Sequence, residues 1–487
     1  MNTELSRRTF IAATAAAGPS MLLGAAGQAN TTDGNSKSPR KEGGATLREE
    51  PREIPVVGDF DLCVIGGSCT GVFAAVSAAR LGARVAIVEN NGFFGGVAVI
   101  WPTWKRIPYD VTGNTEIVAG LTMEVIDRLK AIGAHGMGSW GGKCHCLNPG
   151  ELQIELDNLV KEAGVRPFLH ARYVAPYMSD GRLTAAIIED KSGRRAIRAS
   201  YFVDASGDAD LIASMGLPLM KHDQPLQPAS TVPIVRGLAE AKKNHPDFNF
   251  TGQVRKEFGN KDSIITGGWL NPVLIPGSKD DYWLGGVSVM GGLDFSDADN
   301  LTEAEIEGRK QVRALVDLYR DKVPGVDPLI AIGPMIGVRQ TRHAKTLYTI
   351  TEDELFSGAR FHDGIANGWH AIDVHHSMKN GLRIGRVDNS EQYKKWKETA
   401  GPKDDYYYQL PYRALVPQGA TNVLVAGRCV GAEYGAAAAI RNMPFCNQEG
   451  EAAGTASYLA LNGGLSVAEV DTDKLRATMK KQGSAIT

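Results

Sequence analysis

The stretch from Asp61 to Gly96 constrains this chain more than any other. It opens with Asp61-Leu62-Cys63-Val64-Ile65, an apolar run of strand length, and passes into Gly66-Gly67-Ser68-Cys69-Thr70-Gly71, a turn of small residues. The alanine-rich segment Val72 to Arg80 follows, with Gly82 to stop it, and Val85-Ala86-Ile87-Val88 is a second β-rich run ending on Glu89. Strand, tight turn, helix and strand within about 30 residues form the βαβ signature of dinucleotide binding. Gly66 permits the sharp turn, and Gly71 lets the helix lie close to the sheet. The amides at the helix N-terminus then face a pyrophosphate, which the helix dipole favours. Glu89 can accept hydrogen bonds from an adenosine ribose. The middle glycine of G-x-G-x-x-G is here Ser68, the smallest polar replacement, which impairs close backbone approach without excluding it.

Residues 1–29 read as a twin-arginine signal peptide. Ser6-Arg7-Arg8-Thr9-Phe10-Ile11 carries the arginine pair, Ala12 to Ala26 is mildly apolar, and Gly27-Gln28-Ala29 offers small residues for cleavage. The apolar part is too short and alanine-rich for a stable membrane span. The expectation is export by the twin-arginine machinery to the periplasm or beyond, a route that carries proteins already folded around a cofactor. Residues 30–55 are rich in Thr, Gly, Ser, Lys, Glu and Pro with almost no apolar content, the composition of a disordered linker. The remainder, from Val56, exceeds the size at which a single core stays undivided, so two lobes are expected. A net charge of −2 gives no electrostatic case for nucleic acid or anionic lipid. Cys144-His145-Cys146 is too closely spaced for a zinc site and lacks a second ligand pair, so no metal is expected. An exported protein with six cysteines can form disulfides, but their pairing does not follow from the sequence.

Residues 56–219 read as the first part of the dinucleotide-binding domain. They include a helix over Thr115 to Ile132, a second from Asn148 to about Gly164, and a strand from Val165 to Val174. A hairpin at Asp180-Gly181 leads to Leu183–Glu189, and Arg195–Ala199 precedes Tyr201-Phe202-Val203-Asp204-Ala205-Ser206-Gly207-Asp208. Gly136 to Gly141 matches G-x-G-x-x-G formally but follows a helix, so it is a decoy. Residues 220–334 differ in texture, with aromatic, Gly-rich strand-like runs (Trp269–Pro276, Tyr282–Met290). A helix from Thr302 to Tyr319 opens there on a capping box Thr302–Glu305. This is the expected substrate-facing lobe. Residues 335–465 return to the first texture, with a strand Asn422–Gly427 and an alanine-rich helix Asn447–Leu461 behind Pro444. The helix start is a second site for anion or carbonyl contact. Residues 466–487 form a C-terminal tail.

With these pieces in line, the sequence resembles the FAD-dependent oxidoreductase family of the glutathione-reductase-like flavoprotein fold, over nearly all of residues 58–465. The resemblance rests on Val64-Ile65-Gly66-Gly67 through Gly71, Asn91-Gly92-Phe93-Phe94-Gly95-Gly96, and Asp204-Ala205-Ser206-Gly207-Asp208-Ala209-Asp210. It continues in Gly337-Val338-Arg339-Gln340-Thr341-Arg342, Ile372-Asp373-Val374-His375 and Leu410-Pro411-Tyr412-Arg413-Ala414-Leu415. Leu424-Val425-Ala426-Gly427-Arg428 and Ile440-Arg441-Asn442-Met443-Pro444 complete it. It implies an α/β fold: an FAD-binding, Rossmann-like βαβ domain with an inserted α+β substrate lobe. It further implies that Gly66, Ser68 and Gly71 hold the FAD pyrophosphate, with Glu89 on the ribose. Gly95 and Gly96 would line the path of the ribityl and flavin, Val174 would meet the adenine with its backbone, and Asp208 would sit near the adenosine end. Gly427, Arg428 and the segment Cys446, Asn447 and Gln448 would approach the ribityl and the pyrimidine edge.

Flavin supplies hydride chemistry, so the protein has to orient a small-molecule substrate and move a proton. His375, in the Ile-Asp-Val-His block, is a candidate base, or else a structural histidine of a turn. Arg339 is a candidate for holding a substrate carboxylate or stabilising an oxyanion, or else for an internal ion pair. His145 is a second acid/base, a site of covalent or redox linkage, or a structural residue between lobes. Arg441 pairs with substrate, with the flavin phosphate or within the protein. Cys446, at a helix N-terminus, is expected to have a lowered pKa, or to be simple small packing. A second nucleotide fingerprint is missing, which argues against NAD(P)H and for oxygen, a quinone or a periplasmic carrier as electron acceptor. Reduction of an activated C=C bond, and non-redox use of FAD by a lyase, isomerase or binding protein, are the alternatives.

Overall fold

The structure is a computed structural model that describes residues 45–101, 103–105, 117–138, 144–221, 223–247, 268–287, 293–322, 328–375, 394–395, 398 and 406–487. The twin-arginine segment and most of the linker lie outside the described residues. Among the described residues no helix is long and apolar enough to cross a membrane, and no group of three or more His, Cys, Asp or Glu could hold a metal ion.

The chain begins its main sheet with β1 (Val56–Ile65), crosses over through α1 (Cys69–Arg80) and returns in β2 (Val85–Val88), parallel to β1. Leu62 to Ile65 and all of β2 are buried, as parallel strands covered by helices on both faces must be. A small antiparallel ribbon follows, made of β3 (Thr103–Lys105), β4 (His135–Gly138) and β5 (Cys144–Leu147), with α2 (Leu121–Ala131) between β3 and β4. In α3 (Pro149–Glu162), Asn148 caps the N-terminus by accepting from the Gly150 and Glu151 amides, and Pro149 sits in the first turn, where no amide is needed.

The expected strand Val165–Val174 is two strands, β6 (Arg166–Phe168) and β7 (Arg172–Ser179), because His170 takes a left-handed φ of 51° between them. β7 turns through Asp180 and Gly181, both at positive φ as a tight hairpin requires, into β8 (Arg182–Asp190). β9 (Gly193–Asp204) joins two runs that the sequence suggested separately. It pairs with β1 in parallel along most of its length, and with β8 in antiparallel fashion at its N-terminal half. The sheet order is β6-β2-β1-β9-β8-β7. The end of the expected linker is tied to this sheet: Pro55 accepts from the Ala196 amide, and Ile54 packs on Ala185, Ile187 and Ala196.

After the short α4 (Asp210–Ser214) come β10 (Pro233–Arg236), α5 (Leu238–Asn244), β11 (Gly268–Leu274), β12 (Asp281–Val287), α6 (Ala298–Lys322) and β13 (Leu329–Ile332). The four strands form an antiparallel sheet, order β11-β12-β10-β13, within the expected 220–334 lobe. The capping box expected at Thr302 is not there. Asp297 caps α6 by accepting from the Asp299 and Asn300 amides, the Thr302 hydroxyl donates back to Ala298, and Glu305 accepts from the Ile336 amide instead. The chain then returns through α7 (Glu352–Ser357), β14 (Gly364–Gly368), β15 (Tyr408–Pro411) and β16 (Val423–Val425), which adds in parallel to the C-terminal half of β9. The helices α8 (Tyr434–Ile440), α9 (Met443–Gly463) and α10 (Thr472–Lys481) complete it.

Residues 466–487 are built into the fold. Leu475 and Met479 of α10 are fully buried, Gln482 donates to Ser77 of α1 at 3.0 Å, and the Ser484 hydroxyl donates to Glu451 at 2.6 Å. Glu451, on α9, also accepts from the Leu121 amide at 3.1 Å and so caps α2 from a neighbouring helix. Burial pushes its pKa from 4.5 up to about 7, against the opposing effect of Ser484 and the α2 amides. The native state therefore keeps a proton that the unfolded chain has lost. Its stabilising effect is complete below pH 4.5 and lost as pH rises through about 7, a change of about 3 kcal/mol. Glu451→Gln is expected to remove this part of the pH dependence. Urea midpoints at pH 5 and 7 should lie closer together in the variant, and an unchanged separation would show that Glu451 is ionised throughout.

Candidate functional site

The turn after β1 leaves no room for side chains. At Gly66, φ is +101° and a Cβ would lie 2.3 Å from the Ala205 carbonyl; at Gly71 it would lie 1.9 Å from the Gly66 carbonyl. Ser68 stands at φ −62°, a conformation open to any residue, and caps α1 by accepting from the Gly71 amide at 3.5 Å. That is why the middle glycine can be replaced. The space is recovered opposite: Gly95 donates to the Gly67 carbonyl at 2.8 Å, and a Cβ on Gly96 would come within 3.0 Å of the Ser68 Cβ. Two runs far apart in the sequence pattern thus lie side by side at the N-terminus of α1, whose first amides have no acceptor within the helix.

Glu89 ends up buried, accepting from the Gly67 amide at 2.7 Å and from the Asn91 amide at 2.6 Å. Burial pushes its carboxyl up, while these donors act against it. Its carboxylate locks the turn to the end of β2. The Ala171 amide donates to the Glu89 carbonyl, which brings the start of β7 to the same place. On β7, Val174 is the extra residue of a bulge between the pairs Tyr173–Ile188 and Ala175–Ile187, so its backbone is released from the ladder.

The opposite wall comes from β9 and β16. Asp204, fully buried, accepts from the Ser206, Leu211 and Ile212 amides and fixes the turn that presents Asp208; burial raises its pKa to about 6. Asp208 is bound by Arg428 and by the Thr341 hydroxyl. Gly427 has φ +94°, and a Cβ there would touch Thr70 of α1 at 3.6 Å. In α9, Gln448 is spent on structure, holding the Asn367 backbone and the Pro444 carbonyl. Asn447 donates to Thr122 at 3.3 Å, and its side-chain oxygen is buried with no hydrogen-bond partner. Cys446 fits the second of its two expected readings, small packing. α9 begins at Met443, so Cys446 lies inside the helix with its thiol directed to the Ile440 carbonyl, and burial raises its pKa well above the ordinary value. Desolvation outweighs the helix dipole here and favours the neutral thiol.

Three of the four catalytic candidates come together around Asp373. His375 Nε2 lies 3.6 Å from Asp373 Oδ2, and Arg441 donates to the Asp373 carbonyl at 3.0 Å with its guanidinium 3.9 Å from Oδ2. Arg339 donates to the Pro228 carbonyl at 2.7 Å and is within electrostatic reach of Arg441, Asp373 and His375. Burial, then the Arg339 charge, pushes His375 down to about 4, so it is neutral at neutral pH. Burial acts to raise Asp373, while the His375 N–H and the Arg441 charge act against it and hold the carboxyl below its usual range. Burial and then Arg441 press Arg339 down to about 9, still protonated at neutral pH. The His375 amide donates to Gln227, and Gln227 in turn donates to Gln340; both glutamines are buried. Asp373, Gln227 and Gln340 were not singled out from the sequence. Asp373 could have been, since an acid two residues before a histidine in extended backbone shares its face.

His145 is elsewhere. On β5 its Nδ1 lies 2.9 Å from Nε2 of His135, while Cys144 and Cys146, on the other face, pack against Val232, Val273 and Trp283 in and beside the β11-β12-β10-β13 sheet. Among the described residues no contact ties it to the His375 cluster. None of the six cysteines forms a disulfide.

These residues fit FAD. Gly66 and Gly71 have no space for a Cβ, and the first amides of α1, left without acceptors inside the helix, suit an anion. Bound there, FAD would be held by Gly66, Ser68, Gly71, Gly95 and Gly96 on one side and by Gly427 on the other. The fold is similar to a geranylgeranyl bacteriochlorophyll reductase-like protein of Thermoplasma acidophilum (11% identity, covering 87% of this chain and 84% of that one, TM-score 0.44). It is also similar to p-nitrophenol 4-monooxygenase of Pseudomonas putida (12% identity, 87% and 86%, TM-score 0.42). Likenesses this distant carry no argument about substrate. No curated protein matches the chain. The sequence pattern described as FAD dependent oxidoreductase matches residues 61–479, across both walls of the cradle and the Asp373 cluster, and the chain accordingly belongs to the FAD-dependent oxidoreductase family.

Proposed function

We propose that this protein is an exported oxidoreductase that moves a hydride between a small organic substrate and its FAD, and passes the electrons to a non-nicotinamide acceptor. Bound FAD supplies the two-electron chemistry. The convergence of His375, Arg339 and Arg441 on Asp373 carries the reading. Neutral His375 takes the proton of a substrate hydroxyl or amine, and Asp373 steadies the charge that forms on the ring. Arg339 and Arg441 supply fixed positive charge for an anionic group or a developing oxyanion in a half-buried site. Gln227 sets the His375 backbone. Oxygen, a quinone or a periplasmic carrier is the acceptor. The reverse direction, reduction of an activated C=C bond with protonated Arg339 as donor, is favoured by the depressed pKa of that guanidinium.

The test is a screen of small organic compounds for anaerobic bleaching of the purified yellow protein, followed by reoxidation with oxygen or a quinone. Bleaching by a hydroxy or amino compound supports the leading direction. Turnover only with reduced dye and an activated alkene supports the reverse. A protein whose flavin no compound bleaches and no dye reduces would sink both. Export is supported by the Ser6–Ile11 pattern; Arg7→Lys with Arg8→Lys is expected to abolish periplasmic accumulation, and normal export of that variant would refute it.

A further inference from the structure

The Asp373 cluster carries more positive than negative charge. Arg441 stands 3.9 Å from Asp373 Oδ2, beyond hydrogen-bond distance, and spends one N–H on the Asp373 carbonyl. Arg339 spends one on the Pro228 carbonyl, and among the described residues Asp373 is the one carboxylate that acts on it. Arg428, within electrostatic reach of Arg441, is already answered by Asp208. With His375 neutral, two guanidiniums therefore share one carboxylate. The cluster is not sealed: 25% of the Asp373 side chain and 19% of the Arg441 side chain remain accessible, and Arg339 is partly exposed. A half-buried surplus of positive charge calls for an anion that reaches it through that opening. The surplus exists before any bond changes, so it suits a group already anionic in the bound molecule rather than only an oxyanion that forms later.

We infer that the substrate is a 2-hydroxy carboxylic acid, its carboxylate held by Arg441 and Arg339 and its hydroxyl turned to His375 Nε2. This deepens the reading above and rests on it. His375 Nε2 lies 3.6 Å from Asp373 Oδ2, the same oxygen that Arg441 approaches. The two groups are therefore separated by no more than those two distances together. A carboxylate and a hydroxyl on adjacent carbons, each making one hydrogen bond of ~2.9 Å, bridge such a gap. An amine in place of the hydroxyl would arrive as an ammonium ion and add a third cation, which the charge surplus disfavours. The guanidinium fork matches a planar carboxylate, a fit that a neutral amide lacks.

The test is calorimetric titration of the FAD-loaded protein with glycolate, glycolamide and glycine, small enough that side-chain fit does not enter. Glycolate is expected to bind at least about tenfold tighter than glycolamide, which lacks the charge, and than glycine, which adds an ammonium. Arg441→Met and Arg339→Met should each weaken glycolate about tenfold and leave glycolamide unchanged. Equal binding of glycolate and glycolamide by wild type, or no binding of either, would overturn the inference whether or not the variants fold. So would variants that weaken both ligands alike, and glycine binding as tight as that of glycolate would overturn the hydroxyl. Anaerobic bleaching of the flavin separates this failure from failure of the underlying reading. Bleaching by uncharged alcohols, with no preference for glycolate, would keep hydride removal and discard the carboxylate. Tight glycolate binding, with no bleaching by any of a panel of 2-hydroxy acids, would keep the anion site and overturn the substrate assignment together with that reading.

Discussion

His375→Asn is expected to lower kcat by about 10²–10⁴-fold while the protein retains its flavin, read as the visible absorbance of the purified variant. The reason is local. Among the described residues, His375 is the fully buried base of a half-buried cluster that also holds Asp373, Arg339 and Arg441, with His370 within electrostatic reach of Asp373. Its pH behaviour follows from the same geometry. A base works deprotonated, so activity should rise with pH through about 4 and run flat across neutrality. An acid limb near the ordinary imidazole value would mean that His375 is neither buried nor pressed by Arg339. Arg339→Met should move the limb upward, since it removes the like charge that lowers His375. If His375→Asn turned over normally, the Asp373 cluster would be a structural ion-pair network, and the base would have to be sought elsewhere.

Gly454→Val and Gly450→Val are each expected to cost about 3 kcal/mol or more and to leave the protein without flavin. These glycines press α9 directly onto α1. A Cβ on Gly450 would lie 2.1 Å from the Thr70 carbonyl, and one on Gly454 would lie 2.0 Å from the Ala74 carbonyl. Both obstacles are helix backbone, so relief requires the two helices to part by more than an ångström. That movement displaces the N-terminus of α1, where the pyrophosphate is to be held. Flavin content and urea midpoints measure the two effects. Gly150→Ala is the control. Its Cβ would meet only the Asn148 side chain at 3.5 Å, an ordinary contact within α3, and the change should stabilise by about 0.5–1 kcal/mol through helix propensity. Wild-type flavin content in Gly454→Val would show that the α1–α9 spacing does not govern the cradle.

What could be read in advance divides by distance along the chain. β1, α1 and β2 were legible because turn, helix and strand signals lie within a few residues of one another. Even so, β1 starts at Val56 rather than Asp61, because its first residues are held by β9, a partner that local pattern cannot reveal. The cap of α6 was misread because Thr302 and Glu305 have the right spacing, whereas Asp297 wins by accepting from two amides one turn earlier. The glycines and alanines of α9 suggested an anion site; most of their meaning is the close approach to α1. Of the two readings open for Cys446, small packing is the one its burial fits. His375, Arg339 and Arg441 were each weighed singly, and only the fold shows that Asp373 unites them.

The place of β9 has a consequence for how the molecule comes into being. One face of the cofactor cradle is complete once residues 66–96 are made, yet its counterpart waits for β16 and α9, which pair with or pack on segments synthesised hundreds of residues earlier. Contacts of such sequence separation form slowly, after the loop-closure entropy has been met. An N-terminal fragment ending before Val423 would lack Gly427 and so could not grip FAD from both sides. Cofactor capture is then a late step in biosynthesis. FAD, binding only the finished assembly, would act by mass action as a latch that holds the closed topology against reopening.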